Sequence, residues 1–456
     1  MLFPTFTFIL GFLPVTVIVY FLLSERYPQL SRVWLIIASL VFYSWFNWSY
    51  FFIIAGSILF NWFFAQMLYC KSSRITLSLG IIGNILLLGY FKYYDFFVEN
   101  VNALFGTAWT LKHILLPLGI SFFTFQQISF LQQVFSGTLQ KRYSFSSYCL
   151  FVCFFPQLIA GPIVLPDEMM SQFDNPENRR INTANIAAGL FVFALGLAKK
   201  ILLADFFAEF ADSGFAGCSG NFFTAWRSVL AYMFQIYFDF SGYCDMAIGT
   251  ALFFNINLPV NFNAPYRAEN IADFWRRWHI TLGRFLMSAI YIPLGGNRCG
   301  KVRTCVNLML TFFISGLWHG ASWLFVLWGA MHGAALTIHR IWSRFLGRSM
   351  PRVPAQILTF FFVMLAWVPF RAVNWDSAKS IYKAMFAPDS WNLIAMSNKD
   401  IMLFIAGFIV LGALPPVCEL QKRFRPTWFN AVLAATLIVV SMFCFVKYSP
   451  FIYFNF

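Results

Sequence analysis

Apolar residues in this chain gather into runs of about 20 positions, the length a helix needs to cross a hydrocarbon core. Such runs lie near 5–23, 34–48, 50–68, 77–91, 114–131, 145–164, 184–204, 223–255, 286–295, 305–318, 321–338, 356–370, 401–415 and 430–447. Some are too short to cross, and 223–255 is long enough for two passes or a broken helix. The pattern predicts an all-α integral membrane protein, a polytopic bundle of about eleven to thirteen spans with re-entrant or interfacial helices. Pro and Gly interrupt it at Pro117-Leu118-Gly119, Gly161-Pro162 and Ser241-Gly242. Breaks at membrane depth are tolerated only where protein or a water-filled cavity covers the freed backbone, so the middle third reads as the functional centre.

Composition strengthens the membrane assignment. Of 456 residues 60% are hydrophobic and 21% aromatic, only 11% are charged, and mean hydropathy is +0.68. A soluble domain carries about 25% charged residues. No long polar stretch could form a separate domain, so 1–456 reads as a single multi-pass membrane domain with its core motifs at about 115–340. The nine cysteines fall mostly in apolar runs and show no zinc or disulfide spacing. The formal +14 charge is explained by basic cytoplasmic loops, and no nucleic-acid motif competes with that. Arg26 and Arg32 against Glu25, then Lys71 and Arg74 with no acid, put those loops inside and the N-terminus outside. The first run lacks a basic n-region and a cleavage site and reads as a retained span.

Ionisable groups inside spans are costly, which makes each a candidate for function. His113, beside Lys112, reads as interfacial. His279, His319, His332 and His339 fall within 61 residues of one another. His319 lies in Phe312–Gly320, and no Asp, Glu, Lys or Arg occurs from Thr304 through Ile338. Desolvation disfavours an imidazolium there, leaving a neutral ring able to take a proton from a hydroxyl. The structural alternative is a core histidine bonded to a carbonyl. Gly316 and Gly320, which let a substrate or helix approach closely, tilt the reading towards chemistry. No GxSxG, HExxH, Walker A or GxGxxG motif offers another activation system.

Two further constellations stand out. In Asp273–His279 and beyond, Trp275, His279, Leu282 and Leu286 share one stripe at helical spacing. Asp273, Arg277 and Arg284 share another, which predicts an amphipathic helix on or re-entering the membrane. Arg267 to Arg303 carries seven basic and two acidic residues, a net +5, and should face the cytoplasm. That face, through Arg276, Arg277 and Arg284, could hold the phosphates of coenzyme A or an acidic carrier protein; ordinary headgroup anchoring is the alternative. In Phe238–Asp245, Asp239 and Asp245 stand beside the expected break at Ser241-Gly242. They could line a polar tunnel, orient a histidine or form a buried structural network.

Taken with Pro117–Phe122, Pro156–Ile163, Asn263–Arg267, Gly316–Ala321 and Trp328–Gly333, these motifs resemble the membrane-bound O-acyltransferase (MBOAT) family, most closely the bacterial alginate O-acetylation type. The ending Phe451–Phe456 resembles the family terminus and suggests a complete chain. The resemblance implies helices ringed around a central funnel, with His319 catalytic and His279 the second polar site. His332 matches a family position with a packing or positioning role, and Trp318, Trp278, Asp239 and Asp245 are expected as supporting residues. Gln132-Gln133 replaces a usual Asp, and Leu165-Pro166 a common Arg-Tyr pair, which weakens any claim about the particular acceptor.

The expectation is therefore an O-acyltransferase, most simply an O-acetyltransferase, in the lipid bilayer of a bacterial cytoplasmic (inner) membrane. It would use acetyl-CoA or an acyl-carrier thioester as donor substrate, with no metal and no tightly bound cofactor. The acceptor hydroxyl would belong to an exported polysaccharide or to a periplasmic relay enzyme, with a polysaccharide acceptor and a periplasmic acetyltransferase of the same pathway as partners. The main rival is an acyl or glycan transporter or flippase with a histidine proton relay. A scaffold for a glycan synthase, with a degenerate site, is a third reading.

Overall fold

Long uninterrupted apolar runs with few helix breakers should fold as helices, because inside a bilayer the backbone must satisfy its own hydrogen bonds. The computed structural model describes residues 1–217, 221–345, 347–387, 396–445 and 451–452, and among these there is no β-strand. Five of the described helices are long and apolar enough to cross a membrane: Thr7–Ser24, Ser49–Cys70, Arg74–Phe105, Thr183–Ala216 and Arg352–Arg371, with mean hydropathies of 1.6 to 2.2. The apolar helices Ile280–Tyr291 and Trp428–Phe443 are shorter.

Unlike those of a water-soluble protein, the outer faces of these spans are apolar. Leu22, Phe52 and Leu104 are exposed on these spans, while Asn61, Asn84 and Gln127 are buried. Large apolar side chains on the outside suit hydrocarbon solvent, and inward polar groups bond to one another. The chain is a multi-pass membrane protein.

Its contacts group into two compact units. The first takes residues 1–194, 243–259 and 425–436; the second takes 195–242, 260–424 and the described part of 437–456. In the first, Asn61 and Asn84 exchange side-chain hydrogen bonds of 3.1 and 2.6 Å. Tyr148 donates to Gln127, and Gln127 to Ser57, each at 2.8 Å. The second unit holds His279, His319 and His332 among aromatic rings.

Two expectations about breaks turn out differently. The helix Ile120–Ser136 begins straight after Pro117-Leu118-Gly119, as the sequence suggests. By contrast, 223–255 is neither two passes nor a broken helix. It is one continuous helix, Phe222–Leu252, about 46 Å long at 1.5 Å per residue. Ser241-Gly242 does not interrupt it. A Cβ on Gly242 would sit 2.7 Å from the Gly196 carbonyl oxygen and 3.1 Å from Lys199 Cβ. The glycine is there for close helix approach and not for a bend. Of the C-terminal motif, Phe451 and Ile452 are buried, and Tyr453–Phe456 lie outside the described residues.

Candidate active site

The amphipathic helix expected around His279 does not run through it. Helix Ile271–Arg277 stops, a second helix runs Ile280–Leu286, and His279 sits at the join with φ 45° and ψ 52°. A left-handed conformation costs a non-glycine residue about 1–3 kcal/mol and persists only where surroundings enforce it. The segment just upstream supplies that enforcement. Asn263 N–H donates to the Arg277 carbonyl at 2.9 Å, and Ile280 N–H to the Asn261 carbonyl at 3.0 Å. Asn261 Oδ1 accepts from Thr281 N–H at 3.2 Å and from the Thr281 hydroxyl at 2.9 Å. The stripe Trp275–His279–Leu282–Leu286 is thus replaced by a sharp turn that buries His279 completely.

Three histidines meet in the second unit. His279 lies edge-on to Phe240, centroids 4.8 Å apart, and 6.2 Å from the Trp318 ring. Its Nδ1 is 3.1 Å from Asn261 Oδ1. His319 closes the helix Lys301–His319 and is 3% exposed. Its ring is bounded by Trp318 at 4.7 Å, Trp328 at 4.9 Å and Phe370 at 5.1 Å. His332, on helix Trp323–Arg340, lies 4.8 Å from Trp328 and accepts at Nδ1 from Trp275 Nε1–H at 3.2 Å. The rings therefore alternate as His279, Trp318, His319, Trp328, His332. Among the described residues, Nε2 of His279 and Nε2 of His332 are buried without a hydrogen-bond partner. Aromatic walls of this kind exclude water and hold each imidazole in one orientation.

The glycines beside His319 have a packing explanation. A Cβ on Gly316 would overlap the Phe325 carbonyl oxygen, one on Gly329 the Phe312 carbonyl oxygen, and one on Gly320 the Phe325 ring. They let the His319 and His332 helices cross at backbone contact, and so bring Trp328 against His319. Substrate approach is not needed to account for them.

The remaining candidates divide. Trp278 is buried among Phe262, Phe274 and Trp367 at 5.0 to 5.6 Å, a packing position. Asp239 is engaged by Lys200 at 2.9 Å and by the Ile452 N–H at 2.7 Å, so the structure gives it a buried network in place of a histidine. Asp245 is buried in the first unit, whereas the three histidines belong to the second. Arg276 and Arg277 both reach Asp273, at 3.4 and 2.9 Å, and Arg276 is 72% exposed. Arg284 is half-buried on the second short helix. No three His, Cys, Asp or Glu side chains among the described residues converge as metal ligands would.

Sequence reasoning missed Asn261 and Lys200. Lys200 could have been suspected as a lysine inside an apolar run, which must find a carboxylate. Asn261, two residues before the Asn263–Arg267 motif, carried no local signal.

Known proteins with similar sequences place the chain in a family. The profile of the membrane-bound O-acyltransferase family matches residues 40–372, a stretch that takes in all three histidines. A peptidoglycan O-acetyltransferase of Helicobacter pylori is 42% identical across the whole of this chain and 98% of its own length. A probable alginate O-acetylase of Pseudomonas aeruginosa is 40% identical over 91% of this chain and 80% of its own. A teichoic acid D-alanyltransferase of Streptococcus thermophilus is more distant, 27% identical over half of this chain. With the profile spanning most of its length and such relatives covering nearly all of it, this multi-pass membrane protein belongs to the membrane-bound O-acyltransferase family and is an O-acyltransferase.

Proposed function

We propose that the protein moves an acetyl group from a cytoplasmic thioester, acetyl-CoA or an acyl-carrier protein, to a hydroxyl outside a bacterial cytoplasmic membrane. The hydroxyl belongs to an exported cell-surface or cell-wall polysaccharide, or to a periplasmic acetyltransferase that relays the group. The observation that carries this reading is that His279 and His319, 40 positions apart in sequence, both pack edge-to-face with the buried Trp318, ring centroids 6.2 and 4.7 Å away. The relatives' names support acetyl as the group and a glycan polymer as the acceptor class.

In this reading His319 takes the proton of the hydroxyl as its oxygen attacks the thioester carbonyl. A C–O bond forms, the C–S bond breaks, and the departing thiolate receives the proton from His319. His279 orients the hydroxyl or stabilises the oxyanion. Placed proton transfer is worth about 10²–10⁴-fold. The dry aromatic walls protect the thioester from hydrolysis. Arg276, Arg277 and Arg284 lie in the basic segment proposed to face the cytoplasm, where the donor's phosphates or an acidic carrier would dock. The N-terminus is then outside. No resident metal or cofactor enters the scheme. Membership of an acyltransferase family does not favour the transporter alternative.

The test is turnover of labelled acetyl-CoA by purified protein in lipid nanodiscs, comparing wild type with His319→Ala. Release of free CoA should fall by about 10²-fold or more while the variant elutes and melts like wild type. Equal turnover by both proteins would remove His319 from catalysis.

A further inference from the structure

We propose that Asn261 is a positioning residue for acyl transfer: its side-chain oxygen fixes the His279 ring as the Nδ1–H tautomer, so that the bare Nε2 accepts from a hydroxyl of the acceptor beside the reacting one, whose own proton goes to His319. The inference rests on the reading that His279 takes part in the reaction, and it decides between the two roles left open for that residue.

The argument begins with a donor that has no choice. A backbone N–H can only donate, and Thr281 N–H points at the Asn261 terminal atom from 3.2 Å. That atom is therefore the amide oxygen, not the nitrogen. The same oxygen stands 3.1 Å from His279 Nδ1. An oxygen acceptor facing a ring nitrogen requires the proton on that nitrogen. An uncharged His279 then carries no proton on Nε2, and that atom is buried with no partner in the described structure. A lone pair held ready in a dry pocket can accept a hydrogen bond from a neighbouring hydroxyl of the acceptor, which leaves the reacting O–H free for His319. It has nothing to donate to an oxyanion.

The contrast with His332 sharpens the assignment. There the neighbour is Trp275, whose indole N–H can only donate, and it points at Nδ1. That ring must carry its proton on Nε2, the opposite tautomer. Of these two rings, only His332 has a spare N–H. The strained backbone fits the same purpose. His279 is held at φ 45° by hydrogen bonds from the Asn261 segment, so one residue both sets the turn and selects the tautomer.

The experiment is solid-state NMR of the full chain in nanodiscs with ¹⁵N-labelled histidine, the His279 signals identified by their loss in His279→Gln. The wild type should show a protonated Nδ1 and an unprotonated Nε2 at His279. Asn261→Asp, which keeps the accepting oxygen, should preserve this signature. Asn261→Leu should give a mixture of tautomers, with kcat down about tenfold or more and donor KM unchanged. A proton on Nε2 in the wild type would overturn the proposal while leaving the acyl-transfer reading intact, and that measurement needs no variant to fold. An unchanged tautomer in Asn261→Leu would overturn it too. Full turnover by His279→Gln would instead remove His279 from the reaction, and the positioning role with it.

Discussion

Asp239→Leu removes one of two carboxylates that neutralise Lys200, whose ammonium lies 2.9 Å from Asp239 and 2.7 Å from Asp205 at 3% side-chain exposure. Removing one partner of a buried ion pair costs about 3–5 kcal/mol, because the stranded charge has no water to return to. Two further terms act in opposite directions. Asp205, 20% exposed, stays in place and compensates part of the loss. The Ile452 N–H, which donates to Asp239 at 2.7 Å, loses its acceptor at about 1–3 kcal/mol. The net expectation is about 3–5 kcal/mol, a fall in Tm of roughly 6–10 °C at about 2 °C per kcal/mol. Lys200→Met/Asp205→Asn/Asp239→Leu removes all three charges and should regain about 2 kcal/mol of that loss, since replacing a whole buried ion group by uncharged side chains is often neutral. Size-exclusion chromatography of heated, detergent-solubilised protein measures both. If Asp239→Leu left Tm unchanged and abolished turnover, the assignment of Asp239 to a structural ion network would be wrong, and it would return to the list of groups acting on substrate.

Two further predictions follow from packing in each unit. Gly316→Ala and Gly329→Ala each place a methyl against a facing backbone carbonyl. Each should destabilise by about 1–3 kcal/mol, read as a lower Tm, and the loss of turnover should follow the displacement of Trp328 from His319. In the first unit, Asn84→Leu leaves Asn61 Oδ1 without its donor, Asn61 Nδ2 keeping its bond to the Ser57 carbonyl, and should cost about 1–2 kcal/mol, whereas Asn61→Leu/Asn84→Leu should cost less than the single change. A double variant less stable than the single one, by the same heated-sample assay, would refute the pairing argument.

How much of this protein lies open in its sequence depends on the range of the interaction concerned. Membrane class and helical fold are set by solvent: a run of apolar residues is a property of contiguous positions, and hydrocarbon leaves a backbone few alternatives to helix. The burial of His319 was equally legible, because 35 consecutive positions without Asp, Glu, Lys or Arg surround it, and no distant residue was needed to infer a dry environment. Periodicity failed where a partner far along the chain overrode it. Helical spacing carried the stripe straight through His279, but Asn261, 18 residues before it, accepts from the Ile280 and Thr281 N–H groups, which a continuous helix would have committed to its own carbonyls, and the chain turns. The expected break at Gly242 failed for a related reason, since glycine serves close packing as readily as bending and only the neighbouring Gly196 carbonyl distinguishes the two. Asp239 looked like a candidate for chemistry until the fold brought Lys200 to it. Sequence alone thus determined the solvent, the helices and the dry surroundings of His319. Tertiary structure decided what each buried group faces, because a hydrogen bond or ion pair is chosen by proximity in space, which local pattern does not encode.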